Sequence, residues 1–160
     1  MTLHTETEVL RRVPLFSKLD ASALKLLAFT SDSLTFDDGE ILFNAGDPSD
    51  SAYVILDGEV EILVTDDKGL HAAFVRGKNE IIGEMGILNN MPRNASVRAK
   101  GTLHTLRITS DAFMNMLQQN AVVALEVARQ LSTRLAQTHA KYEALQATVA
   151  RAESMPTADG

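Results

Sequence analysis

The sequence contains no cysteine, and none of its apolar runs approaches the roughly 20 residues that a membrane-spanning helix needs. Without cysteine, neither a disulfide framework nor a thiolate-based zinc or nucleophile site can form. The opening residues also lack the apolar core of a signal peptide. These absences predict a cytoplasmic protein without a membrane partner.

Acidic residues outnumber basic ones: the chain has 21 Asp and Glu but 15 Lys and Arg, which gives a formal net charge of −6. Such a charge repels phosphate backbones, which predicts no nucleic-acid partner. The four histidines, His4, His71, His104 and His139, are too scattered for metal-ligand spacing. The sequence also carries no P-loop or Gly-x-Ser-x-Gly motif, so we expect neither a metal site nor an enzyme.

Hydrophobic periodicity divides the chain into three parts. The first 30 residues have helical spacing, with Asp20 as the expected N-cap. From about residue 33 to 108, short strand-like runs alternate with turn signals, including an Asp57-Gly58 hairpin and a second hairpin that ends at Gly69. The pattern then becomes helical again, and Thr109 or Ser110 is expected to cap a short helix.

These elements predict an α+β fold, a short-stranded antiparallel β-barrel or jelly roll flanked by N-terminal helices and a long C-terminal helix. We expect a β-barrel domain with its N-terminal helices over 1–120 and the long helix over 121–152. The small, polar tail 153–160 is expected to be disordered.

One irregular stretch, IIGEMGILNNMPRNAS at 81–96, interrupts the strands. Gly83 can open a helical turn whose free N–H groups face an anion, and the Arg93 guanidinium can fork onto two phosphate oxygens. Glu84 can accept a hydrogen bond from a sugar hydroxyl. The alternative is that Glu84 and Arg93 form a surface salt bridge worth little.

This stretch is similar to the phosphate-binding cassette of cyclic nucleotide-binding domains, and DDGEILFNAGDPSD and AYVILDGEVEI resemble two hairpins of that family. The resemblance covers roughly residues 13–150. It implies that Gly83 offers its backbone to the nucleotide, Glu84 binds the ribose 2′-hydroxyl and Arg93 neutralises the cyclic phosphate. Ala95 would offer a further backbone N–H.

The resemblance also implies apolar contacts with the ribose and base, from Ile62, Phe74, Ile82 and Met85. The alternative is that each of these four is an ordinary core residue. Asn94 stands where relatives often have Ser, Thr or Ala. Its amide can donate to a phosphate oxygen, but the hydroxyl that favours guanine in some relatives is missing, so cAMP is expected as the ligand ahead of cGMP.

The long helix carries a seam of apolar or small residues in alternating steps of three and four: Ala128, Leu131, Leu135, Thr138, Tyr142, Leu145, Val149 and Ala152. Such a seam predicts a homodimer through 121–152, and the alternative is one helix that lies on its own domain. The arrangement is similar to the sensory domain of bacterial catabolite activators, which implies that Thr138 and His139 contact adenine. Alternatively, Thr138 bonds back to its own helix.

The sequence therefore predicts a domain that binds a cyclic purine nucleotide and transmits occupancy through its C-terminal helix. The chain ends soon after Ala152, so we expect no helix-turn-helix and either a stand-alone receptor or a sensory fragment. The alternative function is a degenerate, non-binding dimeric scaffold. Degenerate relatives usually lose either the cassette glutamate or the cassette arginine, whereas Glu84 and Arg93 are both present here, which favours binding.

Overall fold

The computed structural model describes residues 2–154. Its elements follow the predicted order: α1 (Leu3–Arg12), a 3-10 turn (Pro14–Phe16), α2 (Ala21–Thr30), β1 (Asp32–Phe36), β2 (Ile41–Phe43), β3 (Ser51–Asp66), β4 (Gly69–Arg76), β5 (Ile81–Ile82), α3 (Glu84–Asn89), β6 (Ser96–Thr109), α4 (Ser110–Gln119) and α5 (Ala121–Ser154). Helices thus precede an antiparallel sheet and a long helix follows it, which confirms the predicted fold class.

The six strands form one sheet in the order β1-β6-β3-β4, with β2 also on β6 and β5 on β3. β3 and β6 pair with each other from Ser51 opposite Thr109 to Leu63 opposite Ser96. These two strands are much longer than the short runs that the sequence predicts. Side chains of β3 and β6, together with Ile82 of β5, form a core cluster: Tyr53, Ile55, Val60, Ile82, Val97, Ala99 and Leu103.

The hairpin predicted at Asp57-Gly58 is wrong, because β3 runs straight through both residues. The register between β3 and β6 shifts at this point, and Gly58 has a φ of +95°. A Cβ there would overlap the carbonyl oxygen of Thr102. The glycine therefore allows a bulge within a continuous strand instead of reversing the chain. The hairpin predicted to end at Gly69 is confirmed, since β4 begins there and pairs with β3.

Side-chain caps fix the starts of α2 and α4. The Asp20 carboxylate accepts from the Ala23 N–H at 2.8 Å, and the Thr109 hydroxyl accepts from the Ala112 N–H at 3.2 Å. Both caps agree with the sequence prediction.

The long helix α5 extends to Ser154, two residues past its predicted end. The rest of the predicted tail, 155–160, lies outside the described residues. The contacts divide the chain into two units at Val123 and Ala124. Within residues 2–154, no helix has both the length and the apolar character that crossing a membrane requires.

Candidate functional site

The irregular stretch of the sequence forms a strand, a glycine turn and a short helix. β5 pairs with β3 through Ile82 and Tyr53, and the chain then turns at Gly83, whose φ is +85°. Glu84 begins α3 immediately afterwards, and Asn90 ends that helix in the left-handed region. A residue with a Cβ is strained at such a positive φ, so glycine at 83 suits the turn. We call residues 81–97 the cassette.

The loop between β2 and β3 holds the cassette backbone on both sides of Arg93. The Gly46 N–H donates to the Arg93 carbonyl, and the Arg93 N–H donates to the Asp47 carbonyl, both at 2.8 Å. The Ser49 hydroxyl donates to the Met91 carbonyl at 2.6 Å. These three hydrogen bonds join two irregular segments. They fix the backbone of Arg93 independently of the contacts that its side chain makes.

The Arg93 guanidinium lies inside the protein, with only 3% of its side chain exposed. Nη1 donates to the Gly83 carbonyl at 3.0 Å, and Nη2 donates to the Ser51 carbonyl at 2.6 Å. The fork that the sequence assigned to phosphate oxygens therefore holds two backbone carbonyls. Because Arg93 is buried, a surface salt bridge with Glu84 does not describe its environment.

The Nε of Arg93 is buried and has no hydrogen-bond partner among residues 2–154. Leaving a buried donor unpaired costs about 1–3 kcal/mol. The guanidinium is therefore satisfied at both terminal nitrogens and unsatisfied at the third nitrogen.

Asp50 supplies the nearest negative charge. Its Oδ1 lies 3.6 Å from Arg93 Nη2, and its Oδ2 lies 3.5 Å from Arg107 Nη2. Burial lowers the pKa of Arg93, and Asp50 opposes that effect. Arginine nevertheless stays charged in proteins, so the site holds a desolvated cation whose carboxylate partner is itself 66% exposed.

The other predicted cassette residues lie within about ten residues of Arg93 in the sequence. Glu84 and Met85 form the first turn of α3 and are half-buried. Asn94 is exposed, and Ala95 is half-buried just before β6. The residues predicted to contact phosphate and sugar thus lie on one helical turn and one loop.

The four predicted apolar contacts are not equivalent. Ile82 is a buried core residue, and Ile62 packs against the same core cluster. Phe74 is the cross-strand partner of Ile62, so both side chains lie on one face of the sheet, yet Phe74 is 54% exposed. Ile82 is therefore an ordinary core residue, as the alternative interpretation has it, and Phe74 is not.

Thr138 and His139 belong to the second unit, and both are exposed. His139 Nε2 lies 3.0 Å from a carboxylate oxygen of Glu143 on the same helix. Their contact with adenine stays a prediction.

Three residues that contact the Arg93 guanidinium were missed by sequence reasoning: Phe43, Asp50 and Ser51. The Phe43 ring centroid lies 4.0 Å from the guanidinium carbon. The shorter contact of Ser51 is through its backbone carbonyl, which leaves no mark in a sequence, and its hydroxyl oxygen also accepts from Nη2 at 3.3 Å. Phe43 and Asp50 sit in ordinary strand and turn patterns more than 40 residues before Arg93, so local spacing gives no signal for them. Among residues 2–154, no group of three or more side chains could hold a metal ion.

Comparisons with known proteins agree with this geometry. The family profile of the cyclic nucleotide-binding domain matches residues 33–120. The regulatory subunit of cAMP-dependent protein kinase from Blastocladiella emersonii is 31% identical over 109 residues, covering 68% of this chain and 27% of that relative. The chain thus spans about a quarter of the length of the curated kinase subunits it matches.

Two solved structures show the similarity of the fold. The sensor domain of the transcriptional regulator DNR from Pseudomonas aeruginosa has a TM-score of 0.78 at 23% identity, covering 99% of this chain and 98% of that one. The regulatory subunit of a cAMP-independent protein kinase A from Trypanosoma brucei has a TM-score of 0.72 at 27% identity, covering 82% and 47%. The chain belongs to the cyclic nucleotide-binding domain family, as its cassette suggested.

Proposed function

We propose that this domain binds a cyclic purine nucleotide at the cassette, cAMP in preference to cGMP, and passes occupancy to its C-terminal helix without catalysing a reaction. We place this activity in the cytoplasm. The observation that carries the proposal is the buried Arg93 cation, whose Nε lacks a partner among residues 2–154 beside the turn at Gly83.

An anionic phosphate supplies what this cation lacks. A cyclic phosphodiester offers a negative charge and an acceptor oxygen, and both are favoured next to a desolvated guanidinium. The first backbone N–H groups of α3 have no partner within that helix, and they follow Gly83 directly. By its resemblance to the family, Glu84 then holds the ribose hydroxyl, and the Ala95 N–H joins the phosphate contacts.

The sheet offers an apolar surface for the rest of a nucleotide. Phe74 exposes more than half of its side chain on the face that it shares with Ile62. Covering an exposed aromatic ring with a base or ribose removes apolar area from water, at about 25 cal/mol per Å². Met85, next to Glu84, is the third apolar contact that we assign to the ligand.

Ligand binding requires the residues around Arg93 to move, because Nε is closed off from solvent in this structure. Asp50 links that movement to the next helix, since its carboxylate faces Arg93 and its carbonyl accepts from the Ser110 N–H at 2.8 Å. Ser110 is the first residue of α4. A movement around Arg93 is therefore linked to α4 through one ion pair and one hydrogen bond.

Space for such a shift lies between the cassette and α4. A cleft of about 590 Å³ is lined by Ile87, Met91 and Met114, together with residues of the β2–β3 loop. We propose that Met85 or Ile87 repacks against α4 and that α5 then changes position. The ligand drives this change only if it binds one helix position more tightly than the other.

We further propose that α5 pairs two chains into a homodimer. Four seam residues are at least 47% exposed: Leu135, Tyr142, Leu145 and Val149. A seam with this spacing packs against an identical seam in a two-stranded coiled coil. Thr138 and His139 lie on the same helix and are our candidates for the base contact.

A second candidate, a non-binding dimeric scaffold, is favoured by one observation. The Nη1 and Nη2 groups of Arg93 already hold the Gly83 and Ser51 carbonyls, so the residue has a structural role without any ligand. A relative with the same fold is also named as cAMP-independent. Membership of the family alone therefore does not identify the ligand.

Calorimetry with the wild-type chain separates the two candidates. We expect micromolar binding of cAMP, weaker binding of cGMP and a loss of about 100-fold or more in the Arg93→Ala variant, because an unneutralised buried phosphate costs several kcal/mol. No heat with millimolar cAMP or cGMP would support the scaffold and refute the receptor.

Hydrogen exchange on residues 110–150 tests the transmission of occupancy. Saturating cAMP should change amide protection in α4 and α5. Unchanged protection in a chain that binds cAMP would refute the switch and leave the binding function standing.

A further inference from the structure

Three aromatic rings form a row that ends at the buried cation. The Phe36 and Tyr53 centroids are 6.2 Å apart in an edge-on contact, and those of Tyr53 and Phe43 are 6.1 Å apart in a tilted one. Tyr53 belongs to the core cluster, and both phenylalanines pack against that cluster. The core therefore fixes the position of the Phe43 ring.

The Arg93 guanidinium lies against the ring at the end of this row, with its central carbon 4.0 Å from the Phe43 centroid. At this separation the negative face of an aromatic ring attracts a cation, and the attraction grows when water is excluded. Only 3% of the Arg93 side chain is exposed, so the contact is nearly dry. Burial lowers the pKa of Arg93, and a ring face partly replaces the lost hydration.

The hydrogen bonds of the guanidinium do not by themselves prevent one rotation of the group. Its two anchors, from Nη1 to Gly83 and from Nη2 to Ser51, both lie at the outer end of the group. Rotation about the line through these two nitrogens would preserve both bonds approximately while swinging Nε out of its plane. A ring against the flat face opposes that rotation.

We infer that Phe43 is the positioning residue that holds the Arg93 guanidinium flat within the cassette, with Nε in the orientation that an anionic ligand meets once the residues that cover it move aside. The inference rests on the proposed function for the identity of that ligand. The contact between the ring and the cation can be tested without any ligand.

Three variants test the inference by calorimetry with cAMP. Phe43→Leu removes the ring face and should weaken binding by about tenfold, because the ligand must then re-order a guanidinium that a desolvated cation–π contact no longer holds. Phe43→Tyr keeps the ring and should bind within about twofold of the wild type. Phe36→Leu is the matched control, because it removes the ring at the other end of the row and should leave the affinity within about twofold.

Urea denaturation of the same variants separates positioning from packing. Both Phe43→Leu and Phe36→Leu should lower the unfolding midpoint, since both rings pack on one cluster, and Phe43→Leu should lower it further because it also loses the contact with Arg93. Equal loss of cAMP affinity in these two variants, or no loss in a folded Phe43→Leu protein, would overturn the inference.

The Nε proton of Arg93 gives a readout that needs no nucleotide. Its NMR signal, assigned by its disappearance in Arg93→Lys, should be shifted upfield by the Phe43 ring in the wild type and in Phe43→Tyr. The shift should be lost in Phe43→Leu and kept in Phe36→Leu. An ordinary shift in the wild type would overturn the inference. A shifted signal in a chain that binds no cyclic nucleotide would refute the proposed function and leave the positioning of Arg93 established.

Discussion

The proposed function depends on both the cassette and the seam of α5. In the cassette the central side chain is buried among residues of its own chain, whereas the large apolar side chains of the seam are exposed. Around Arg93, backbone carbonyls, a carboxylate and an aromatic ring all come from the same chain. Along α5, by contrast, large apolar residues such as Leu135 and Leu145 are 71% and 61% exposed.

This difference separates two kinds of experiment. A substitution in the cassette acts on contacts that already exist in one chain, so its first effects are on stability and ligand affinity. A substitution in the seam of α5 removes apolar surface that is still exposed, so its first effect is on association between chains.

Gly83 gives the largest expected effect, because a side chain there disturbs both the turn and the cation. The φ of Gly83 is +85°, and a Cβ would lie 2.5 Å from Arg93 Nη1. Gly83→Ala should lower the free energy of unfolding by about 3 kcal/mol, which sums backbone strain and a lost buried hydrogen bond. Urea denaturation measures this loss.

Gly39→Ala is the matched control. Its φ is +84°, and a Cβ at Gly39 would meet nothing within 4 Å. This variant should therefore show only the backbone strain, about 1 kcal/mol. Equal losses at the two glycines would mean that the close approach of Arg93 contributes nothing to stability.

Glycines also mark the limit of what the sequence predicts for the fold. Gly69 follows the run Asp66-Asp67-Lys68 and Gly58 follows Asp57, and both glycines have a positive φ, yet one ends a hairpin and the other sits in a bulge. A single positive φ is compatible with either structure. The choice at Gly58 is made by its pairing with β6, more than 40 residues later in the chain.

The candidate site shows the same limit. The order of strand, glycine turn, helix and Arg93 was predictable, because it depends on neighbours in the chain. The partners of the guanidinium were not predictable, since Phe43 and Ser51 come from distant strands and the shorter contact of Ser51 is through its backbone. Burial of Arg93 was also unexpected, because a sequence motif specifies a charge and not its solvation.

Leu145→Glu tests the seam of α5 and has the next largest expected effect. A carboxylate at this position would be buried in a coiled-coil interface without a partner, so association between chains should weaken by about 30-fold or more. Analytical ultracentrifugation over a range of concentrations measures this change. Ala144→Glu introduces the same charge one residue earlier, outside the seam, and should leave association nearly unchanged. A wild-type chain that is monomeric at high concentration would contradict the predicted homodimer.

Glu84→Ala, compared with Arg93→Ala, shows which of the two charged cassette residues contributes more to cAMP affinity. We expect a loss of cAMP affinity of about tenfold, because one sugar hydroxyl loses its charged acceptor. Arg93→Ala should cost about ten times more than that, since it leaves a phosphate without a countercharge. In calorimetry with 2′-deoxy-cAMP, Glu84→Ala should bind as the wild type does, because the hydroxyl that Glu84 would hold is absent. A larger loss from Glu84→Ala than from Arg93→Ala would reverse our ranking.

Asn94→Thr gives the smallest expected effect and addresses the choice of base. Asn94 is exposed beside Arg93, so a threonine hydroxyl at this position would compete with water for any contact with guanine. The net gain from one such hydrogen bond is about 0.5–1 kcal/mol, which predicts cGMP affinity a few-fold higher with little change for cAMP. Asn94→Val has nearly the shape of threonine without the hydroxyl, so competition binding of both variants isolates the hydrogen bond from the change in size. If the valine variant gained cGMP affinity equally, the preference for cAMP would depend on space at position 94 instead of on the missing hydroxyl.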